Sequence, residues 1–261
     1  MFEVTARLRV RDGQLEGFKH QAAEVLRLAR EKDTKPLRYD WFLSDDGTRC
    51  EVREAYADAD AVLEHQRYVA EAKVKLLREF VDDHKMSLYG EPSAALTQAM
   101  KAMGVTARQF SFFQGLKAGA DGPDIDALDA KFEVVARLKV RDGELEGFKQ
   151  QATEVIRVAR DEDTKTVRYD WFLSDDGVQC EVREGYVDSD GLLEHSDHVW
   201  DVRSKLFRDF AYDHDMTLYG EPSPALAAAF ESMGSAVTYT QYAFFQGLED
   251  VDIKVRDEVA V

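Results

Sequence analysis

The chain repeats itself. Phe2–Gly104 and Phe132–Gly234 align without a gap at a constant offset of 130 residues, with 65 of the 103 positions identical. Tyr39-Asp40-Trp41-Phe42-Leu43-Ser44-Asp45-Asp46-Gly47 returns as Tyr169-Asp170-Trp171-Phe172-Leu173-Ser174-Asp175-Asp176-Gly177. A two-residue insertion then carries the last match, Phe112–Leu116, onto Phe244–Leu248. A duplication of this length implies two copies of one domain-sized folding unit. The expected organisation is a first domain at 1–116, a linker at 117–131, a second domain at 132–248 and a charged tail at 249–261. Gly119, Gly122 and Pro123 among aspartates and alanines mark the linker.

Within a copy the hydrophobic period changes from segment to segment. Phe2, Val4, Ala6, Leu8 and Val10 alternate with polar residues, which predicts a strand buried on one face with Arg7 and Arg9 on the other. After the break at Asp12-Gly13, Leu15, Phe18, Ala22, Val25 and Ala29 recur at helical spacing and end in the polar stretch 31–35. Leu37, Tyr39, Trp41 and Leu43 alternate again, Asp45-Asp46-Gly47 predicts a turn, and Cys50–Tyr56 completes an antiparallel hairpin. Asp58 or Asp60 caps a second helix with the stripe Val62, His65, Val69, Ala72, Leu76, Phe80. A strand at Met86–Tyr89, a short helix capped by Ser93 and a closing strand at Gln109–Gln114 follow. The order βαββαβ with a small helix and a closing strand predicts an α+β, ferredoxin-like unit in each copy.

A net charge of −17 and a pI near 4.8 disfavour partners with phosphate backbones or anionic headgroups, so neither a nucleic-acid nor a membrane role is expected. No apolar run approaches the ~20 residues that span a bilayer, and a cytoplasmic protein is the expectation. Cys50 and Cys180 occupy the same repeat position, so neither copy can close a disulfide within itself; both are expected as small buried hydrophobes.

The candidate chemistry lies on the inward faces. His65 and His195 sit on the apolar stripe of the second helix, as general bases or as hydrogen-bonded core histidines. Glu54 and Glu184 share a mostly apolar strand face, where a carboxylate needs a partner such as the histidine or Arg7, or carries a raised pKa. Tyr39 with Trp41, and Tyr169 with Trp171, either wall an aromatic ligand or pack as ordinary core. Arg7 and Arg137 are the candidate binding cations. His84 and His214 are expected near the C-terminal end of the second helix, interacting with its dipole. No metal site is expected, because the histidine spacings do not fit one.

The run from Val4 through the Gly13 turn and Phe18, then Arg38-Tyr39, then Glu54-x-Tyr56-x-Asp58 and Leu63-x-His65, resembles the antibiotic biosynthesis monooxygenase family. The resemblance covers nearly all of both copies. It implies a dimeric α/β barrel made as a pseudo-dimer, with the repeats pairing within one chain, or a homodimer of such chains. Family members oxygenate aromatic phenols without metal or flavin, oxidise quinols, or degrade haem. For this chain the resemblance implies a cofactor-independent monooxygenase acting on a small aromatic or quinol substrate, with one pocket per repeat and His65, Glu54, Tyr39 and Trp41, with their counterparts, as site residues. A ligand-binding or scaffold protein on the same fold is the alternative, and haem degradation a third. The family's haem-degrading members and best-known aromatic oxygenases use an asparagine beside a tryptophan on the second helix; this chain has no asparagine, and on that helix only Trp200 is a tryptophan, its repeat counterpart being Ala70.

Overall fold

The alternation of the first strand sets the architecture, because it gives each sheet an apolar face for two helices and a charged face opposite. The computed structural model describes residues 1–33, 35–117, 122, 123, 128, 130–233 and 239–248. Most of the expected linker and the whole expected tail at 249–261 lie outside the described residues. The first repeat runs β1 (Phe2–Val10), α1 (Leu15–Lys32), β2 (Pro36–Ser44), β3 (Arg49–Tyr56), α2 (Asp60–Phe80), β4 (Val81–Tyr89), α3 (Ala94–Met103) and β5 (Arg108–Gln114). The second runs β6 (Phe132–Val140), α4 (Leu145–Glu162), β7 (Thr166–Ser174), β8 (Gln179–Tyr186), α5 (Asp190–His198), α6 (Trp200–Asp209), β9 (Ala211–Tyr219), α7 (Pro224–Met233) and β10 (Tyr239–Gln246).

Two compact units emerge, one of Met1–Arg108 with the chain from Ala243, the other of Gln109–Tyr242. In the first, the antiparallel sheet has the order β4-β1-β3-β2, with Ala6 opposite Val52 and Trp41 opposite Val52 on its other side. This is the ferredoxin-like order. Phe18, Ala22, Val25 and Ala29 of α1 and Val69, Ala72 and Leu76 of α2 pack against Ala6, Leu8, Tyr39 and Trp41. Each large apolar side chain buried this way contributes about 1.5–3 kcal/mol. Phe245 and Leu248 join the same core, Phe244 meets Phe42 edge-on at 5.7 Å, and the Arg30 guanidinium donates to the Gly247 carbonyl.

The second unit has the corresponding order β9-β6-β8-β7. Strand β5 pairs antiparallel with β7, and Tyr239–Tyr242 pair parallel with β9. Phe113 and Leu116 pack on this core, and Arg160 donates to the Gly115 carbonyl at 3.1 Å. The units thus differ from the repeats in their closing segment, which each takes from the other copy.

On the charged faces of the sheets, Glu51 and Glu181 are buried and Arg7 and Arg137 are partly so. Arg7 donates to Glu51 at 3.0 Å and to Ser87 at 3.2 Å, while Arg137 donates to Glu181 at 3.2 Å and to Thr217 at 2.8 Å. Burying such groups is tolerated because they are paired.

Three local features depart from the periodic reading. Leu37 is 43% exposed, because the register between β2 and β3 shifts between Pro36 and Arg38 and breaks the alternation there. Strand β4 starts at Val81, directly after α2, although Asp82–Lys85 are exposed and show no apolar period. His84 and His214 therefore stand on strands, and the expected helix-dipole role for them does not hold. The second helix is continuous in the first repeat but breaks at Val199 in the second, between α5 and α6. Among the described residues, no helix is long and apolar enough to cross a membrane. Cys50 and Cys180 are buried and free.

The β2–β3 turn is fixed locally. Asp46 accepts from the Ser44 hydroxyl at 2.7 Å and from the Thr48 N–H at 3.0 Å, bonds that lower its pKa to about 2, and Gly47 adopts φ +66. A Cβ on Gly47 would also stand 2.6 Å from Leu15. Gly47→Ala is expected to lower the unfolding free energy by about 1–2 kcal/mol. Urea titration of the full chain reads this as a lower midpoint; an unchanged midpoint contradicts the strain assigned to this turn.

Candidate functional site

Each copy contains a carboxylate and an imidazole closed off from water. Asp33, the residue that ends α1, bonds Nδ1 of His65 with its Oδ2 at 2.6 Å, and both side chains have no exposed surface. Asp163 makes the same bond to His195 at 2.7 Å. Tyr39 meets the His65 ring edge-on with centroids 4.7 Å apart, and Tyr56 lies at 5.8 Å. The Tyr56 hydroxyl donates to Glu54 Oε2 at 2.5 Å, and Tyr186 donates to Glu184 at 2.5 Å. Burial pushes all four phenols, Tyr39, Tyr56, Tyr169 and Tyr186, well above the usual tyrosine range, so they act as donors and not as anions. His65 Nε2 and the indole N–H groups of Trp41 and Trp171 are buried without a hydrogen-bond partner.

The second copy adds a third residue and a cavity. His198 bonds the other oxygen of Asp163 at 2.8 Å, so this carboxylate carries two imidazoles. Burial pushes Asp163 up, but His195, His198 and Thr166 outweigh it and leave its pKa lowered. The hydrogen bond to Asp163 in turn raises His198. Between the sheet and α5, α6 and α7 lies a cavity of about 610 Å³. Tyr169, Trp171 and Glu184 form its floor, with Phe207 and Phe230 among the apolar walls. Trp200, 60% exposed, stands at its rim. Burial raises the Glu184 pKa, partly offset by His195, the Tyr186 hydrogen bond and Arg203. His214 lines the same cavity with its ring 4.8 Å from Phe207; although the residue keeps exposed surface, desolvation of the ring and then the Arg203 charge hold its pKa down.

Of the residues singled out in the sequence, Tyr169, Trp171 and Glu184 line this cavity. His195 lies beside Tyr169 at 4.6 Å and is tied to Asp163, as His65 is to Asp33. Glu54 bonds Tyr56 rather than Arg7. Arg7 and Arg137 are not brought to the site: they project between core-facing neighbours onto the charged face, where they pair with Glu51 and Glu181. Sequence reasoning missed Asp33 and Asp163, which fall in a stretch that reads as a solvated helix end, and Arg203, which reads as one more surface cation. Among the described residues, no group of three or more His, Cys, Asp or Glu is placed to hold a metal ion.

No protein-family model matches the chain, and no curated protein matches it in sequence. Solved structures match it in fold. A protein of Fusobacterium nucleatum subsp. nucleatum, described as a candidate monooxygenase, aligns with a TM-score of 0.57 at 11% identity over 82% of this chain and 89% of its own. Another, from Lactobacillus acidophilus and described in the same way, aligns with a TM-score of 0.55 at 11% identity over 82% of this chain and 90% of its own. Coverage of 82% exceeds either repeat, so these alignments run through both. A shorter protein from Nitrosomonas europaea, described as a candidate antibiotic biosynthesis monooxygenase, aligns at 22% identity over 35% of this chain and 98% of its own, with a TM-score of 0.32. At such identities the likeness of the first two establishes a shared α+β fold.

The pair on Asp163 makes stability depend on pH in a defined direction. The pKa of His198 is raised in the folded chain above its ordinary 6.5, so its contribution is full below that value and is lost as pH rises through the folded value. His198→Gln is expected to lower the melting temperature at pH 5.5 and to lower it progressively less at alkaline pH. A loss that is the same at every pH contradicts this coupling.

Proposed function

We propose that the chain is a monooxygenase of the antibiotic biosynthesis type, which oxidises a small aromatic or quinol substrate with dioxygen in the cavity over Tyr169 and Trp171. The observation that carries this reading is a buried carboxyl with a raised pKa, Glu184, set in the floor of an otherwise largely aromatic and aliphatic cavity. A base for a weakly acidic carbon or phenol needs a pKa above that of an ordinary carboxylate, and burial supplies the shift. The fold shared with two candidate monooxygenases supports the same reading.

In this scheme Glu184 accepts a proton from the bound substrate. Tyr186 holds the carboxylate in place with its 2.5 Å hydrogen bond, and the Asp163–His195 pair steadies the ring wall behind it. The resulting carbanion or phenolate is electron-rich enough to react with dioxygen. For a ring CH₂ group, the substrate loses two hydrogens and gains one oxygen atom as a carbonyl, and the second oxygen atom leaves as water. The apolar walls limit the water that competes for the anion.

Oxygen consumption by the purified chain against a panel of anthrones and reduced quinols tests the proposal. Glu184→Gln keeps the shape of the side chain but removes the base. General-base catalysis is worth typically 10²–10⁴-fold, so a fall in kcat of about 100-fold is expected, with an unchanged melting transition. Uptake that is equal in Glu184→Gln, or absent with every compound of the panel, overturns the reading.

A further inference from the structure

The two copies agree at 65 of 103 positions overall, yet at only 8 of the 20 between Ala61–Phe80 and Gly191–Phe210. This difference is sharper around the cavity. All eight of its strand-borne lining residues, Tyr169, Trp171, Glu184 and His214 among them, are matched by the same residue in the first copy. Of the nine contributed by α5 and α6, two are matched. The floor is common to both copies and the roof is not.

The roof differences are chemically specific. Trp200 stands where the first copy has Ala70, and Arg203 where it has Lys73. In the first copy the cation is committed: Lys73 Nζ lies 4.0 Å from Glu54 Oε1 and donates to Gln66 Oε1 at 3.4 Å. In the second, Ser196 replaces Gln66, and the Arg203 guanidinium makes no hydrogen bond or ion pair among the described residues. It is close enough to Glu184, Tyr169 and His214 to draw the pKa of each downward. The Arg203 guanidinium is thus an uncommitted donor in the lining of the cavity, whose other ionisable lining groups are Tyr169, Glu184, Asp197 and His214.

Building on the reading of this cavity as a substrate site, we propose that, although the copies share one floor, the second alone takes an aromatic anion. Its ligand is a planar, ring-fused carboxylate. Arg203 meets the charged oxygen, and Trp200 flanks the ring at the rim. The cavity volume of about 610 Å³ suits a molecule of two or three fused rings.

Isothermal titration of the full chain with 1-hydroxy-2-naphthoate, and separately with the uncharged 1-naphthol, tests this. The naphthoate is expected to bind one site per chain. Arg203→Gln should weaken it about tenfold or more, the loss expected of a charged hydrogen bond, while Lys73→Gln leaves it unchanged. Binding of 1-naphthol should be equal in the parent and in Arg203→Gln. If Arg203→Gln loses its melting transition, Arg203→Lys, which keeps the charge but not the fork, is read instead and should weaken the naphthoate several-fold. Two equivalent sites, an affinity indifferent to both Arg203 variants, or no naphthoate binding overturns the inference. Oxygen uptake with neutral substrates while the naphthoate stays unbound overturns it and leaves the oxygenase reading standing. Naphthoate binding lost in Arg203→Gln, without oxygen uptake from any substrate, does the reverse.

Discussion

One hydrogen bond in each copy, between a carboxylate and an imidazole that water does not reach, holds the remainder of the site in place. Asp33 ends α1 and His65 belongs to α2, so their bond fixes the two helices to each other over the sheet. Two tyrosines then pack on the imidazole, and one of them, Tyr56, positions the glutamate two residues before it on the same strand. Removing either partner leaves the other buried and uncompensated, which costs on the order of 3–5 kcal/mol when the pair is ionised. In the second copy the same carboxylate also takes His198, and the helix breaks at the next residue, Val199. The extra bond and the break fall together where the roof of the cavity changes from α5 to α6.

The sheets separate two kinds of buried chemistry. On the helix face, polar groups are few and each has a defined local setting. On the opposite face, arginines and glutamates alternate along neighbouring strands and neutralise each other, as Arg7 does with Glu51. Period-2 geometry enforces the division, because a residue shifted by one position moves from one chemistry to the other. Arg53 and Arg183, the neighbours in sequence of Glu54 and Glu184, fall by the same alternation on the opposite face.

Much of this was legible in the sequence. The hairpin with its Asp46-Gly47 turn, the apolar stripes of the helices and the inward placement of His65 and Glu54 all follow from local periodicity and turn chemistry, which the chain writes within a few residues. Features set by distant contacts were not legible. Asp33 lies 32 residues from its histidine and sits in a stretch of polar residues that reads as a solvated helix end, so nothing local marks it as buried. Strand β4 begins among charged residues because its pairing with β1 supplies the order that its own pattern lacks. The duplication itself hid information, since a residue present in both copies is expected by default. The informative positions were those where the copies disagree, Ala70 against Trp200 and Lys73 against Arg203.

The placement of the three tryptophans has a spectroscopic consequence. Trp41 and Trp171 are twins, each 2% exposed in the same apolar setting, and their emission belongs together at short wavelength. Trp200 has no twin and is open to water, so its emission lies to the red, and a neutral quencher such as acrylamide reaches it in preference to the others. The chain therefore carries a native fluorophore at the rim of one cavity and a shielded one, Trp41, away from it as an internal standard, and occupancy of that cavity can be followed in the unlabelled protein.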